Sequence, residues 1–188
     1  MAEPVSASEE LAMRYAFEVH AHQQWGPHPY SEHLRRVHAL CTELALGPEV
    51  CTAAWLHDSL EDSSKPVPAH RQELTQRFGA QVSRLVFSVS GFGARRSERC
   101  ADIVSKLWSE VREADKSRAS QSVAAVSLKM ADRWVNWSMA SQGTDSASRK
   151  LCKLFAKEFD EHYRFLLPFA HPELQRKMLE LSQESHRS

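Results

Sequence analysis

Residues 53–62 read AAWLHDSLED, an apolar run that ends in four ionisable side chains within six positions: His57, Asp58, Glu61 and Asp62. Helical periodicity carries the apolar part into a core, so the charges arrive where burial is costly unless they are satisfied. Adjacent residues on an α-helix point about 100° apart. His57 and Asp58 therefore converge on one point only at a special edge of the helix. A divalent cation at that point accounts for the pair, because imidazole nitrogen and carboxylate oxygen both ligate first-row metals.

Outward from this stretch, apolar residues recur at three- and four-residue spacing and strand signals are scarce. The pattern predicts a first helix from about Ser8 to Gln24, with Ser6 and Glu9 placed as a capping box. Gly26-Pro27-His28-Pro29 breaks it. A second helix is expected over Ser31 to Ala45, ended by Gly47. Pro48 suits a first helical position, so a third is expected from Pro48 to Glu61. Further helices are expected from Pro68 to Gly79 and from Ala80 to Ser90. After a turn at Gly91-Phe92-Gly93 come Ser97 to Ala114, Gln121 to Ser141, Ala147 to Leu167 and Pro172 to Gln183. Asp115 to Ser120 reads as a polar, mobile connection and SQESHRS as a frayed tail. No repeat and no long linker is present. The expectation is all-α: one helical-bundle domain over residues 1–188, with a core over about 8–167.

The 188 residues are 42% hydrophobic and 26% charged, ordinary for a globular protein. Lys plus Arg and Asp plus Glu are 24 each. This balance argues against nucleic acid or a membrane surface as partner and leaves any anion site to a local patch. No stretch approaches the roughly 20 apolar residues of a membrane span, and MAEPVSASEELAMRY lacks a signal-peptide core. The scattered cysteines Cys41, Cys51, Cys100 and Cys152 read as reduced thiols in a cytoplasmic protein. Ten histidines stand out, since histidine is a frequent metal ligand.

A metal needs more ligands than His57 and Asp58. PYSEH supplies His33 near a helix start, and LKMADRWVN supplies Asp132 in a helix otherwise lined by Val126, Leu128, Met130, Val135 and Met139. A carboxylate in that setting is either ligating or paired, with Arg133 and Arg99 as the pairing alternatives. Two histidines and two carboxylates suit manganese, iron(II) or another first-row ion better than a thiolate-bound structural zinc.

The order H…HD…D resembles the HD superfamily of metal-dependent phosphohydrolases. AAWLHDSLEDS resembles the A-x-L-L-H-D-x-x-E-D-T of the hydrolase domain in the RelA/SpoT family and its small relatives, including the metazoan SpoT homologues. PYSEH resembles the family's P-Y-x-x-H, RFGAQVSRLVFSVS its F-G-x-x-V-x-x-L-V-x-x-V-T, and LKMADRWVNW its V-K-L-A-D-R-x-x-N. These matches run in family order from about His20 to Asn136. The resemblance implies an all-α bundle and manganese-dependent removal of the 3′-pyrophosphate from the alarmones ppGpp and pppGpp. It implies that His33, His57, Asp58 and Asp132 are the metal ligands and that Glu61 and Asp62 are the catalytic acid pair. Asn136 would contact a substrate sugar or phosphate. Lys129 matches a motif position and reads equally as a phosphate contact or an ion pair; Tyr30 also matches. At this length the resemblance implies a hydrolase without a synthetase region.

The chain departs from the family where an Arg-Lys pair normally precedes P-Y-x-x-H. Here HAHQQWGPHPY places Trp25 and Gly26 at that point. Trp25 offers an aromatic face to a base but no charge. Arg95, Arg96 and Arg99 either restore positive charge for a polyphosphate or form a solvated basic helix start. The expected partner is a small nucleotide. The alternatives are the same chemistry on another nucleotide, or a catalytically silent nucleotide-binding regulatory module.

Overall fold

Every residue from Val50 to Leu56 is buried. A helix enclosed all round must be the centre around which others pack, and this one, α3 (Pro48–Leu56), is. The computed structural model describes residues 6–62, 64–117 and 121–185, with backbone alone for 115–117 and 121–123. The fold is all-α and divides into two compact units, the first ending at Ser90 and the second beginning at Gly91.

In the first unit α1 (Ala7–Val19), α2 (Tyr30–Glu43) and α6 (Ala80–Val89) pack on α3, while α5 (Val67–Phe78) packs on α6. The expected cap forms: Ser6 Oγ accepts from the Glu9 backbone N–H at 3.2 Å and donates to its carboxylate at 3.3 Å. Such a cap is worth about 1 kcal/mol. Helix α1 stops before the expected Gln24, with His20 as its last cap residue. Gln24–Trp25 (β1) instead pairs antiparallel with His28–Pro29 (β2). Gly26, at φ 56°, supplies the left-handed turn between them. The hairpin returns the chain to Tyr30, whose N–H donates to the Gln23 carbonyl at 3.1 Å.

The expected helix from Pro48 to Glu61 is two pieces. Helix α3 ends at Leu56, and a short α4 (Ser59–Asp62) follows a turn at His57-Asp58. Side chains cause the break by taking carbonyls that continued helix would use. His57 Nδ1 donates to the Ala54 carbonyl at 2.8 Å and Ser59 Oγ to that of Leu56 at 2.7 Å; Ser90 Oγ, which donates to the Val86 carbonyl at 2.7 Å, lies 3.3 Å from the His57 carbonyl oxygen.

In the second unit α8 (Gln121–Gln142) is central, buried continuously from Ala125 to Asp132, with α7 (Arg96–Ser117), α9 (Ser146–Glu158) and α10 (Pro172–Ser185) packed on it. Gly91 is required by close approach: a Cβ there would lie 2.8 Å from the Arg99 carbonyl oxygen. Asp115 to Ser117 extend α7 rather than forming a loose connection, and residues 118–120 lie outside the described ones. Helix α10 runs to Ser185 with Ser182 buried, so the expected frayed tail is partly helix; residues 186–188 lie outside the described ones.

The expected helix from Ala147 to Leu167 is α only to Glu158. One wide π turn follows over Phe159–Tyr163, then a tighter 3₁₀ stretch over Arg164–Phe169. The extra residue in the wide turn lets Phe159, Tyr163, Leu166 and Leu167 all face inward. Pro168, without an N–H, prevents a return to regular helix. Glu158, buried at the start of this change, pairs with both Arg96 and Arg133. Burial pushes its carboxyl upward, but the Arg96 hydrogen bond and the Arg133 charge outweigh that and hold it below its ordinary value.

Breaking this cluster by Glu158→Ala leaves two guanidinium groups facing each other without their anion. It should cost about 3 kcal/mol of stability, as removal of one partner of a buried pair does, measured by urea unfolding of the intact chain. The sign with pH follows from the lowered carboxyl. The stabilisation from Glu158 is complete above its unfolded value of 4.5 and is lost as pH falls through the lower folded value. The stability gap between wild type and variant should therefore narrow as pH falls below 4.5.

Candidate metal centre

The turn at the end of α3 and the start of α2 bring three of the expected ligands together. His33 and His57 are buried and Asp58 is partly so. His33 Nε2 lies 3.2 Å from His57 Nε2 and 3.7 Å from Asp58 Oδ2, and His57 Nε2 lies 2.9 Å from Asp58 Oδ2. The Ala54 carbonyl can only accept, so Nδ1 of His57 carries the hydrogen and the lone pair of its neutral ring sits on Nε2, facing His33 and Asp58. This is the arrangement by which proteins orient a ligating imidazole. Two donors each about 2.1 Å from one ion and about 90–110° apart lie roughly 3.0–3.4 Å from each other. The observed separations bracket that range, so the donor set fits a divalent first-row ion.

Asp58 is held from outside as well. Tyr30 Oη donates to its Oδ2 at 2.5 Å. In the sequence Tyr30 is a motif position with no role attached. A phenol three residues after Pro27 could not be seen reaching Asp58 without the hairpin that turns it back.

Glu61 is exposed in α4, and the Asp62 side chain is one-third exposed. Their N–H groups both donate to the Asp58 carbonyl, at 3.1 and 3.2 Å, so both acids ride on the turn that carries the ligands. They sit in the first turn of a new short helix, not at the end of a long one. Burial raises the Asp62 carboxyl above its usual range and the Asp58 carboxylate adds to this, while His20 and Gln23 partly offset them.

In the second unit Asp132 is buried. Lys129 Nζ lies 2.9 Å from its Oδ2, and Asn136 Nδ2 donates to its Oδ1 at 2.6 Å. Lys129 is thus a buried ion-pair partner, and it, not Arg133 or Arg99, takes the pairing role. Arg133 turns to Glu158, and Arg99 Nη1 donates to the Gly93 carbonyl at 3.3 Å. Arg96 is committed to Glu158 and packs over Phe155, whereas Arg95 is 82% exposed beside Glu98. Trp25 is half-buried in β1. All four cysteines are free thiols. No described helix is long and apolar enough to cross a membrane.

The sequence profile of the HD domain family matches residues 12–157. The chain belongs to the HD domain family. Among curated relatives, this HD domain is 30% identical over 125 residues to the GTP pyrophosphokinase rsh of Brucella ovis, and equally to that of Brucella melitensis. The match covers 65% of this chain and 15% of each relative, so the HD domain spans only a small part of the proteins it resembles. A solved structure of a metazoan ortholog of SpoT, reported to hydrolyse ppGpp and to play a role in starvation responses, superposes with a TM-score of 0.65. It shares 20% identity over 97% of this chain and 98% of its own, which establishes a common HD fold.

Substituting His57 by Ala or Asp58 by Asn should weaken retention of a divalent ion by at least about 10-fold, as loss of a ligand or its orienting partner does. Elemental analysis after dialysis against buffered manganese checks this, and unchanged metal content in both variants would remove the assignment.

Proposed function

We propose that this HD domain is a manganese-dependent phosphohydrolase that removes the 3′-pyrophosphate from a purine alarmone such as ppGpp or ppApp. The observation that carries it is the convergence of His33 Nε2, His57 Nε2 and Asp58 Oδ2, with the His57 tautomer set by Ala54. Family membership supports the reading, as do the likeness to the GTP pyrophosphokinases rsh and the ppGpp hydrolysis reported for the SpoT ortholog. His33, His57 and Asp58 hold the ion; Asp132 is the fourth ligand by motif order. The ion, when bound, supplies positive charge that makes a water molecule acidic near neutral pH. Glu61 and Asp62 orient the attacking water and take its proton. Trp25 offers a face for the base, Asn136 a sugar or phosphate contact, and the exposed Arg95 positive charge, while Lys129 stays with Asp132.

Trp25 also sets the expected selectivity. Stacking on an aromatic face is worth about 1–3 kcal/mol per base and discriminates poorly between bases. It lacks the charge-assisted hydrogen bonds of the family's Arg-Lys pair. A second reading follows from the same feature: identical chemistry on a different nucleotide.

Incubation with manganese and a nucleotide panel, with products resolved by ion-exchange chromatography, tests the proposal. Guanine and adenine alarmones should both release pyrophosphate, with kcat/KM values within about 10-fold, or about 1.4 kcal/mol. Turnover of a simple nucleotide with neither alarmone cleaved would establish the second reading instead. Glu61→Gln combined with Asp62→Asn should keep the metal and lower turnover by about 10²-fold or more. Near-normal turnover in that double variant would return the acid pair to an ordinary surface role.

A further inference from the structure

His20 is 3% exposed and has no part in the centre described above. Its ring lies flat against that of Tyr30, with centroids 4.8 Å apart and planes inclined by 26°. Tyr30 in turn donates to Asp58 Oδ2, the oxygen that faces both ligand histidines. At its edge, His20 Nδ1 lies 2.6 Å from Gln23 Oε1 and 3.5 Å from Asp62 Oδ2. An amide oxygen only accepts, so Nδ1 carries the hydrogen. One buried ring therefore reaches the Asp58 carboxylate through a single intervening phenol and approaches Asp62 directly.

The backbone explains why the rings meet. Helix α1 ends at His20, the hairpin β1–β2 reverses the chain, and Tyr30 is hydrogen-bonded to Gln23. Gln23 is itself tied back, its N–H donating to the His20 carbonyl at 3.0 Å. A phenol packed against a fixed ring loses its freedom to swing, so its hydrogen bond presents Asp58 in one orientation. An unpacked Tyr30 would keep the bond only part of the time.

We propose that His20 is a positioning residue with two separable actions: its ring face holds Tyr30, and through it Asp58, in the metal-binding orientation, and its Nδ1–H, with Gln23, sets the direction of Asp62. This rests on the reading of the centre under the proposed function. The two actions use different parts of the ring, so two substitutions separate them. His20→Asn keeps an N–H near the Nδ1 position and removes the ring; His20→Phe keeps the ring and removes the N–H.

The test uses the intact chain, with manganese affinity from titration calorimetry, kcat and KM on ppGpp, and thermal melting as a control on folding. His20→Asn and Tyr30→Phe should each weaken manganese binding about 10-fold, as loss of a ligand's supporting partner does. Combining them should be no worse than Tyr30→Phe alone, because both act through one hydrogen bond. His20→Phe should bind manganese within about 2-fold of wild type. It should lower kcat about 10-fold or more at unchanged KM, the effect expected of a misplaced catalytic group. Equal losses in His20→Asn and His20→Phe, tracking melting temperature, would make His20 a core filler and overturn the proposal. Manganese affinity unaffected by His20→Asn and by Tyr30→Phe would overturn it too. A wild-type protein that binds manganese but cleaves no alarmone would defeat the substrate assignment alone, and the affinities then decide the role of His20. A wild-type protein that binds no divalent ion would remove the centre and the proposal together.

Discussion

The hydrogen bond from His57 Nδ1 to the Ala54 carbonyl is the constraint from which the centre follows. It uses a carbonyl that a longer helix would give to a backbone N–H, so it helps to end α3. It also fixes which nitrogen is protonated, so Nε2 is left to face His33 and Asp58. Ser59 completes the change by taking the carbonyl of Leu56. Without this turn, His57 and Asp58 would diverge by about 100° and could not share a ligand. Burial of α3 from Val50 to Leu56 gives the turn a rigid base, since the residues just before it are locked by packing.

The same rule, that buried charge needs a partner, shapes both units. In the first, Asp58 collects a phenol and two imidazoles; in the second, Asp132 is flanked by Lys129 and Asn136, and Glu158 by two arginines. Glu158 sits where α9 gives way to the wide turn, so its ion pairs link the first turn of α7, α8 and the irregular segment that closes with Pro168. Arg96, whose charge in isolation suits a phosphate, serves this internal link.

At 20% identity the HD fold of the SpoT ortholog is retained, since cores tolerate exchange among apolar residues of similar volume. Activity lives in particular side chains placed on such a fold. Here the hairpin that carries Trp25 also delivers Tyr30 to Asp58.

The sequence by itself determined the all-α class, most helix positions and the residue types of the centre. Apolar periodicity and the punctuation by Ser6, Gly26, Gly47, Pro48 and Gly79 are local properties, and H…HD lies in short motifs. It could not show the break after Leu56, because apolar spacing continues from Leu56 to Leu60 while the bonds that end α3 are made by the side chains of His57 and Ser59 to the carbonyls of Ala54 and Leu56. The wide turn at Phe159–Tyr163 was hidden for a related reason: helical spacing continues through it, and only a core on one side selects the extra residue. Lys129 and Arg96 each allowed two readings from their positions alone. Burial decided between them, since a charge removed from water must take whatever partner the tertiary structure places beside it.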